Sequence, residues 1–217
     1  IADWPAAPAC ASTSATTVQA DVLRVALAAV LPAASSDDTR AHLHGVCWDG
    51  AQIIAVDGHR LHMHNGLPTC TISPAPILPL PSALALAAAL KRAVGDVSVR
   101  WLPGAVEFAI VTREGLVVRL HAKLAGAAFP PWQQVVPTNP PVQIACDAAP
   151  LVAALASALA AYAAAGNGGR ATQVRFAERD GALEIRADYD GAVIYSPRVA
   201  ADVTPGYVAS FSPRYLL

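Results

Sequence analysis

Charge and aromatic residues are scarce in this chain. Only 14% of its 217 residues are charged and 6% aromatic, and the formal net charge is −1. Neither a disordered polyelectrolyte nor a polybasic nucleic-acid tail has that composition. Any contact with nucleic acid therefore rests on a few placed side chains. Cysteine is equally sparse: Cys10, Cys47, Cys70 and Cys146, with no C-x-x-C pair. That spacing excludes a disulfide scaffold and an all-cysteine zinc site. Free structural thiols fit a reducing compartment, and a cytoplasmic location is the expectation. The start lacks a basic region followed by an apolar run, so no secretory signal is read. It opens with Ile rather than Met, compatible with a piece of something longer. There is no Gly-rich phosphate loop, no nucleophile elbow and no H-E-x-x-H. No charge falls between residues 148 and 165, which reaches the lower length limit of a membrane span. Its bulky residues, Leu151, Leu155, Leu159 and Tyr162, form one narrow stripe among alanines, however. That is the pattern of a helix docked on a sheet, and no membrane association is expected.

Hydrophobic residues make up 54% of the chain, but 48 residues are Ala. At roughly 100–200 residues per domain, the length allows one large domain or two small ones. A pattern of strand, helix and three strands recurs every 60–65 residues or so, above the period of most solenoids. Residues 1–15, rich in Pro, Ser and Thr, read as a linker running into a strand. A helix over 21–31 carries Leu23, Leu27, Val30 and Leu31 on one face and stops at Pro32. Strands follow at 42–47, 52–56 and 60–64, with turns at Asp49-Gly50 and Asp57-Gly58. The second unit opens at 77–80, continues as a helix to Val94, and has strands at 97–101, 105–111 and 116–121. A Pro-rich stretch spans 129–141. The third unit starts at 142–146, with Asp147 as N-cap of a helix to Ala165. A loop over 166–169 ends that helix, and strands at 173–177, 182–187 and 192–197 follow. A fourth unit begins at 207–211. Two units pair into one α+β domain over 16–137, and a second, incomplete domain covers 142–217.

Residues 35–46, Ser-Ser-Asp-Asp-Thr-Arg-Ala-His-Leu-His-Gly-Val, resemble a motif in the middle domain of the bacterial sliding clamp, the beta subunit of DNA polymerase III. The stretch Ala55-Val56-Asp57-Gly58-His59-Arg60-Leu61 is similar to that family's Ala-Thr-Asp-Gly-His-Arg-Leu, with Val56 in place of Thr. Phe129-Pro130, Val135-Val136-Pro137 and Phe211-Ser212-Pro213-Arg214-Tyr215-Leu216-Leu217 also match in order, as does Ala2-Asp3-Trp4 at the inter-domain link. The resemblance implies a DNA-clamp fold, with helices on one face of antiparallel sheets. It implies a non-catalytic processivity factor without cofactors, which tethers polymerase to duplex DNA. Its partners would be non-specific duplex DNA, DNA polymerase and other clamp-binding peptides, a clamp loader, and further copies through self-association. Relative to the family, the first domain is missing and the last stops halfway, so a monomer or weak oligomer is expected.

By motif position the resemblance places a partner-peptide cleft at Leu43, Val56, Gly58, His59, Arg60, Leu61 and Pro137. Leu43, Val56, Leu61 and Pro137 offer an apolar floor, Gly58 allows close backbone approach, and His59 and Arg60 supply polar rim contacts. The plainer reading makes Leu43, Val56 and Leu61 core strand residues. If the helices line a DNA channel, Arg24, Lys91 and Arg92 meet phosphates, with a salt slope on the order of −3. Two further functions remain in view. One is a clamp-fold peptide-binding module that does not encircle DNA. The other is a metal-dependent enzyme built on His42/His44 and His62/His64, each pair sharing a strand face beside Asp49 or Asp57.

Overall fold

The computed structural model describes residues 14–165 and 173–216. The linker over 1–13, Cys10, the Ala2-Asp3-Trp4 match, the loop over 166–169 and Leu217 lie outside the described residues. The chain divides into two compact units between Gln133 and Gln134.

In the first unit, β1 (Ser14–Gln19) leads directly into α1 (Ala20–Val30) and a single 3₁₀ turn containing Pro32. Next come β2 (Gly45–Val56) and β3 (Leu61–Cys70). The second half repeats the order with β4 (Ile77–Pro79), α2 (Leu80–Leu90), β5 (Asp96–Leu102), β6 (Ala105–Val111) and β7 (Val117–Lys123). The opening strands are exchanged between the halves. One sheet has the order β1-β5-β6-β7 and the other β3-β2-β4, all pairs antiparallel. Each half therefore supplies an edge strand to the sheet of the other, which ties the repeats into one body. The expected break at Asp49-Gly50 is a change of partner inside a continuous strand element. Gly45 to Cys47 pair with β4, and Gly50 to Val56 pair with β3 with a register shift between Gly50 and Gln52. His42 and His44 lie in the turn before β2 and not on a strand.

The core of this unit follows from the spacing of large side chains. Leu23, Leu27 and Val30 of α1 and Leu86 and Leu90 of α2 recur at three- and four-residue intervals and face the strands. Val97, Val99 and Trp101 of β5 alternate inward, as do Val106, Phe108 and Ile110 of β6. Trp48 meets Trp101 edge-on with ring centroids 5.6 Å apart, a favoured aromatic geometry. Gly45 is required where β2 meets β4: a Cβ there would lie 2.4 Å from the backbone oxygen of Leu78. Gly45→Ala is expected to lose about 1–3 kcal/mol of stability, the usual cost of overpacking, measured as a lower urea midpoint with unchanged slope.

The second unit repeats the pattern with β8 (Ile144–Cys146), α3 (Ala148–Ala164), β9 (Val174–Arg179), β10 (Ala182–Tyr189), β11 (Ala192–Tyr195), β12 (Arg198–Val203), β13 (Val208–Phe211) and the short α4 (Pro213–Leu216). Its sheet runs β13-β9-β10-β12-β8, with β11 also on β10. The strand expected over 192–197 stops at Tyr195, before Pro197, which lacks the ladder N–H, and β12 over 198–203 is a strand that was not expected. Asp180-Gly181 and Asp190-Gly191 are turns in which all four residues take positive φ, the two-residue hairpin geometry that Asp-Gly favours. Asp147 occupies the N-cap of α3, but its side chain makes no capping bond. The Ala-rich helix buries Ala154, Leu155, Ala158 and Tyr162 against Phe176, Leu183 and Ile185. No helix of the described residues is long and apolar enough to cross a membrane.

Candidate partner-peptide site

Two loops far apart in sequence meet at one end of the first unit. The β2–β3 connection is a tight turn organised by Asp57. Its Oδ1 accepts the backbone N–H groups of His59 and Arg60 at 2.9 and 3.0 Å, and its Oδ2 accepts Arg60 Nε at 3.0 Å. An Asp that bonds the backbone two residues on holds a turn in this way. Arg60 also donates to the Pro32 carbonyl and so ties the turn to the end of α1. Gly58 takes φ +96°, a conformation that side-chain-bearing residues avoid.

The second loop, residues 35–44, is built by the same device. Asp37 accepts the Thr39 hydroxyl at 2.6 Å, the Thr39 amide at 3.1 Å and Arg40 Nε at 2.8 Å. Leu43 and His44 donate their amides to the Arg40 carbonyl, at 2.8 and 2.9 Å. The Arg40 guanidinium then reaches the first loop: Nη1 would lie 3.6 Å from a Cβ placed on Gly58. The two sequence motifs thus form one surface, and Arg40 is the member that sequence reasoning left out. The Asp-x-Thr-Arg spacing of an Asp-held turn was the available signal.

Burial divides the proposed site residues. Val56 and Leu61 are cross-strand partners at the mouth of the hairpin, both half-buried. They form an apolar pair open to solvent on one side. His59 is exposed and Arg60 half-buried. Leu43 is only 7% exposed and acts mainly as support. Pro137 is exposed and belongs to the second unit, whereas the other six residues belong to the first.

Burial raises the pKa of Asp57, but the amides of His59 and Arg60 and the Arg60 guanidinium outweigh it and hold the carboxyl below its ordinary value. A depressed carboxylate contributes stability fully above its unfolded pKa and loses it as pH falls through the folded pKa. Asp57→Asn should therefore cost about 1–2 kcal/mol near neutral pH, the size of a lost charged hydrogen bond. In acid the difference from the parent chain should vanish, as followed by urea unfolding across pH.

The three expected DNA-facing cations are not equivalent. Arg24 is ion-paired with Asp21 at 3.0 Å. Arg92 is ion-paired with Glu114 at 2.6 Å. That Arg92 bond, then one from Thr112, holds the exposed Glu114 carboxyl down at about 2. Of the three, Lys91 is exposed and makes no ion pair among the described residues. The expectation of three available cations is thus corrected: two have intramolecular counter-charges.

The histidines do not assemble a metal centre. His44 and His62 donate Nδ1–H to the carbonyls of Ser35 and Ala29, each at 2.9 Å. Among the described residues no group of three His, Cys, Asp or Glu side chains is placed to hold a metal ion. Cys47 is a buried thiol pushed up to about 12 by burial and then by Asp49 and Cys70, so it is not a nucleophile.

The exchanged-sheet repeats with paired helices of the first unit, and the antiparallel sheet covered by α3 in the second, define an α+β DNA-clamp fold. Solved structures that share it include bacterial DNA polymerase III beta sliding clamps. That of Bartonella birtlesii, solved bound to griselimycin, gives a TM-score of 0.82 at 21% identity, over 99% of this chain and 58% of that one. Those of Thermotoga maritima (0.82, 18%) and Caulobacter crescentus (0.84, 20%) each cover 99% of this chain and 57% of theirs. The chain thus spans under two thirds of the clamps it matches. Neither a family model nor a curated protein sequence matches it.

Proposed function

We propose that this chain is a shortened sliding-clamp-type processivity factor, non-catalytic and cytoplasmic, that holds a DNA polymerase through a short peptide. The meeting of the 35–44 and 57–61 loops carries the reading. Val56 and Leu61 supply an apolar seat. Gly58 leaves the backbone open to a ligand, and His59 and Arg60 line the rim. A few anchors of this kind dominate binding to short peptides. Encirclement of duplex DNA requires clamp-type domains beyond those described, placed around DNA by a clamp loader. A peptide-binding module that never encircles DNA is the second reading, favoured by the ion-paired Arg24 and Arg92. Retention on nicked circular duplex, lost when the circle is linearised, supports the first reading. Peptide binding without retention supports the second, and neither activity overturns both.

A further inference from the structure

A cluster of basic side chains lies away from that site, on the solvent face of the β1-β5-β6-β7 sheet. Glu107 of β6 is 6% exposed although its side chain points away from the core strand residues Val106 and Phe108. It is covered by neighbours on both sides. Arg100 of β5 and Arg119 of β7 reach its Oε1 at 3.1 and 3.2 Å. His121 of β7 donates Nε2–H to Oε2 at 3.0 Å. Arg100 and His121 are the direct cross-strand partners of Glu107. One carboxylate therefore fixes three basic side chains, two of them always charged. Lys123, two residues beyond His121 on the same face, is exposed and makes no ion pair among the described residues. The acidic residue at the far end of this face is Asp96, four positions from Arg100 along β5.

We propose that this face is a docking surface for an extended acidic segment of a partner protein. Arg119, His121 and Lys123 recur at every second residue of β7, about 7 Å apart. Alternate side chains of an extended peptide have the same spacing, so Asp or Glu at every second position meets the row in register. The shared Glu107 holds Arg100 and Arg119 in place, so less side-chain freedom is lost on binding. Nucleic acid is the less suitable occupant. A single strand needs aromatic platforms for its bases, and the solvent-facing neighbours here are Thr17, Ser98, Ala105 and Ala109.

The test is fluorescence anisotropy of the whole chain with a labelled eight-residue peptide alternating Asp and Val, and with a labelled oligothymidine. The peptide should bind saturably, more weakly as salt rises. Lys123→Glu should weaken it about tenfold, and Arg119→Glu with Lys123→Glu by more, since opposed like charges cost several kcal/mol. Arg24→Glu, on α1, should leave it unchanged. Lys123 makes no ion pair, so its variant should melt like the parent. Peptide affinity indifferent to Lys123→Glu in a folded variant would overturn the proposal. So would tighter binding of oligothymidine than of the peptide.

Discussion

Leu61→Asp is expected to abolish binding of a clamp-binding peptide while the chain stays folded. Leu61 is half-buried beside Val56 at the open end of the hairpin, and it is absent from the buried core of the first unit. A carboxylate there faces the ligand and not the packed interior. Loss of one apolar anchor from a short peptide costs about 2–4 kcal/mol, or roughly 30-fold or more in affinity. Burying a new charge against the peptide adds to that. Isothermal titration with a Gln- and Leu/Phe-containing peptide reads the effect. A thermal melt within a few degrees of the parent would separate lost binding from lost folding. Retained affinity in the folded variant would remove Leu61 from the site.

If Arg24 of α1 and Lys91 and Arg92 just past the end of α2 face DNA, the chain should gain salt-sensitive DNA affinity when Asp21 and Glu114 are neutralised. Asp21 and Glu114 each occupy a cation that would otherwise meet phosphate, which leaves Lys91. With one phosphate neutralised, affinity for duplex DNA should fall only about 3-fold between 50 and 200 mM salt. In the Asp21→Asn, Glu114→Gln variant all three cations are released, and the fall should approach about 40-fold, a slope near −3. Both pairs are solvent-exposed, so their loss should hardly alter stability. A variant with the parent's slope would show that these helices do not face DNA at all.

The fold was legible wherever local chemistry decides it. Asp57-Gly58, Pro103-Gly104, Asp180-Gly181 and Asp190-Gly191 mark turns because they admit conformations that other residues resist. The Leu stripes of α1 and α2 mark their buried faces. The exchange of β1 and β4 between sheets was not legible, since pairing partners far apart in sequence leave no local trace. Helix α2 ends at Leu90 and not at Val94, because Ala93 forms a β-bridge with Thr112, in which Val94 donates its amide to the Val111 carbonyl and Arg113 donates its amide to the Arg92 carbonyl. The candidate site was legible through Asp57 to Leu61, where the turn and its residues are contiguous. Arg40 at Gly58 and Glu114 on Arg92 are contacts across 18 and 22 residues, visible only once the strands are placed. Trp132 is a further case: it donates Nε1–H to Asp49 at 2.9 Å and fixes the start of the Pro-rich connector to the first unit.

The most direct measurement is a heteronuclear NMR titration of the isotope-labelled chain with the Gln- and Leu/Phe-containing peptide. Amide shifts should cluster at Gly58, His59, Arg60 and Leu61, extend to Arg40 and Leu43 through the shared loop contact, and leave Glu107 and its neighbours unmoved. No shifts at millimolar peptide, or shifts confined to another face, would contradict the assignment of this hairpin as the partner-peptide site.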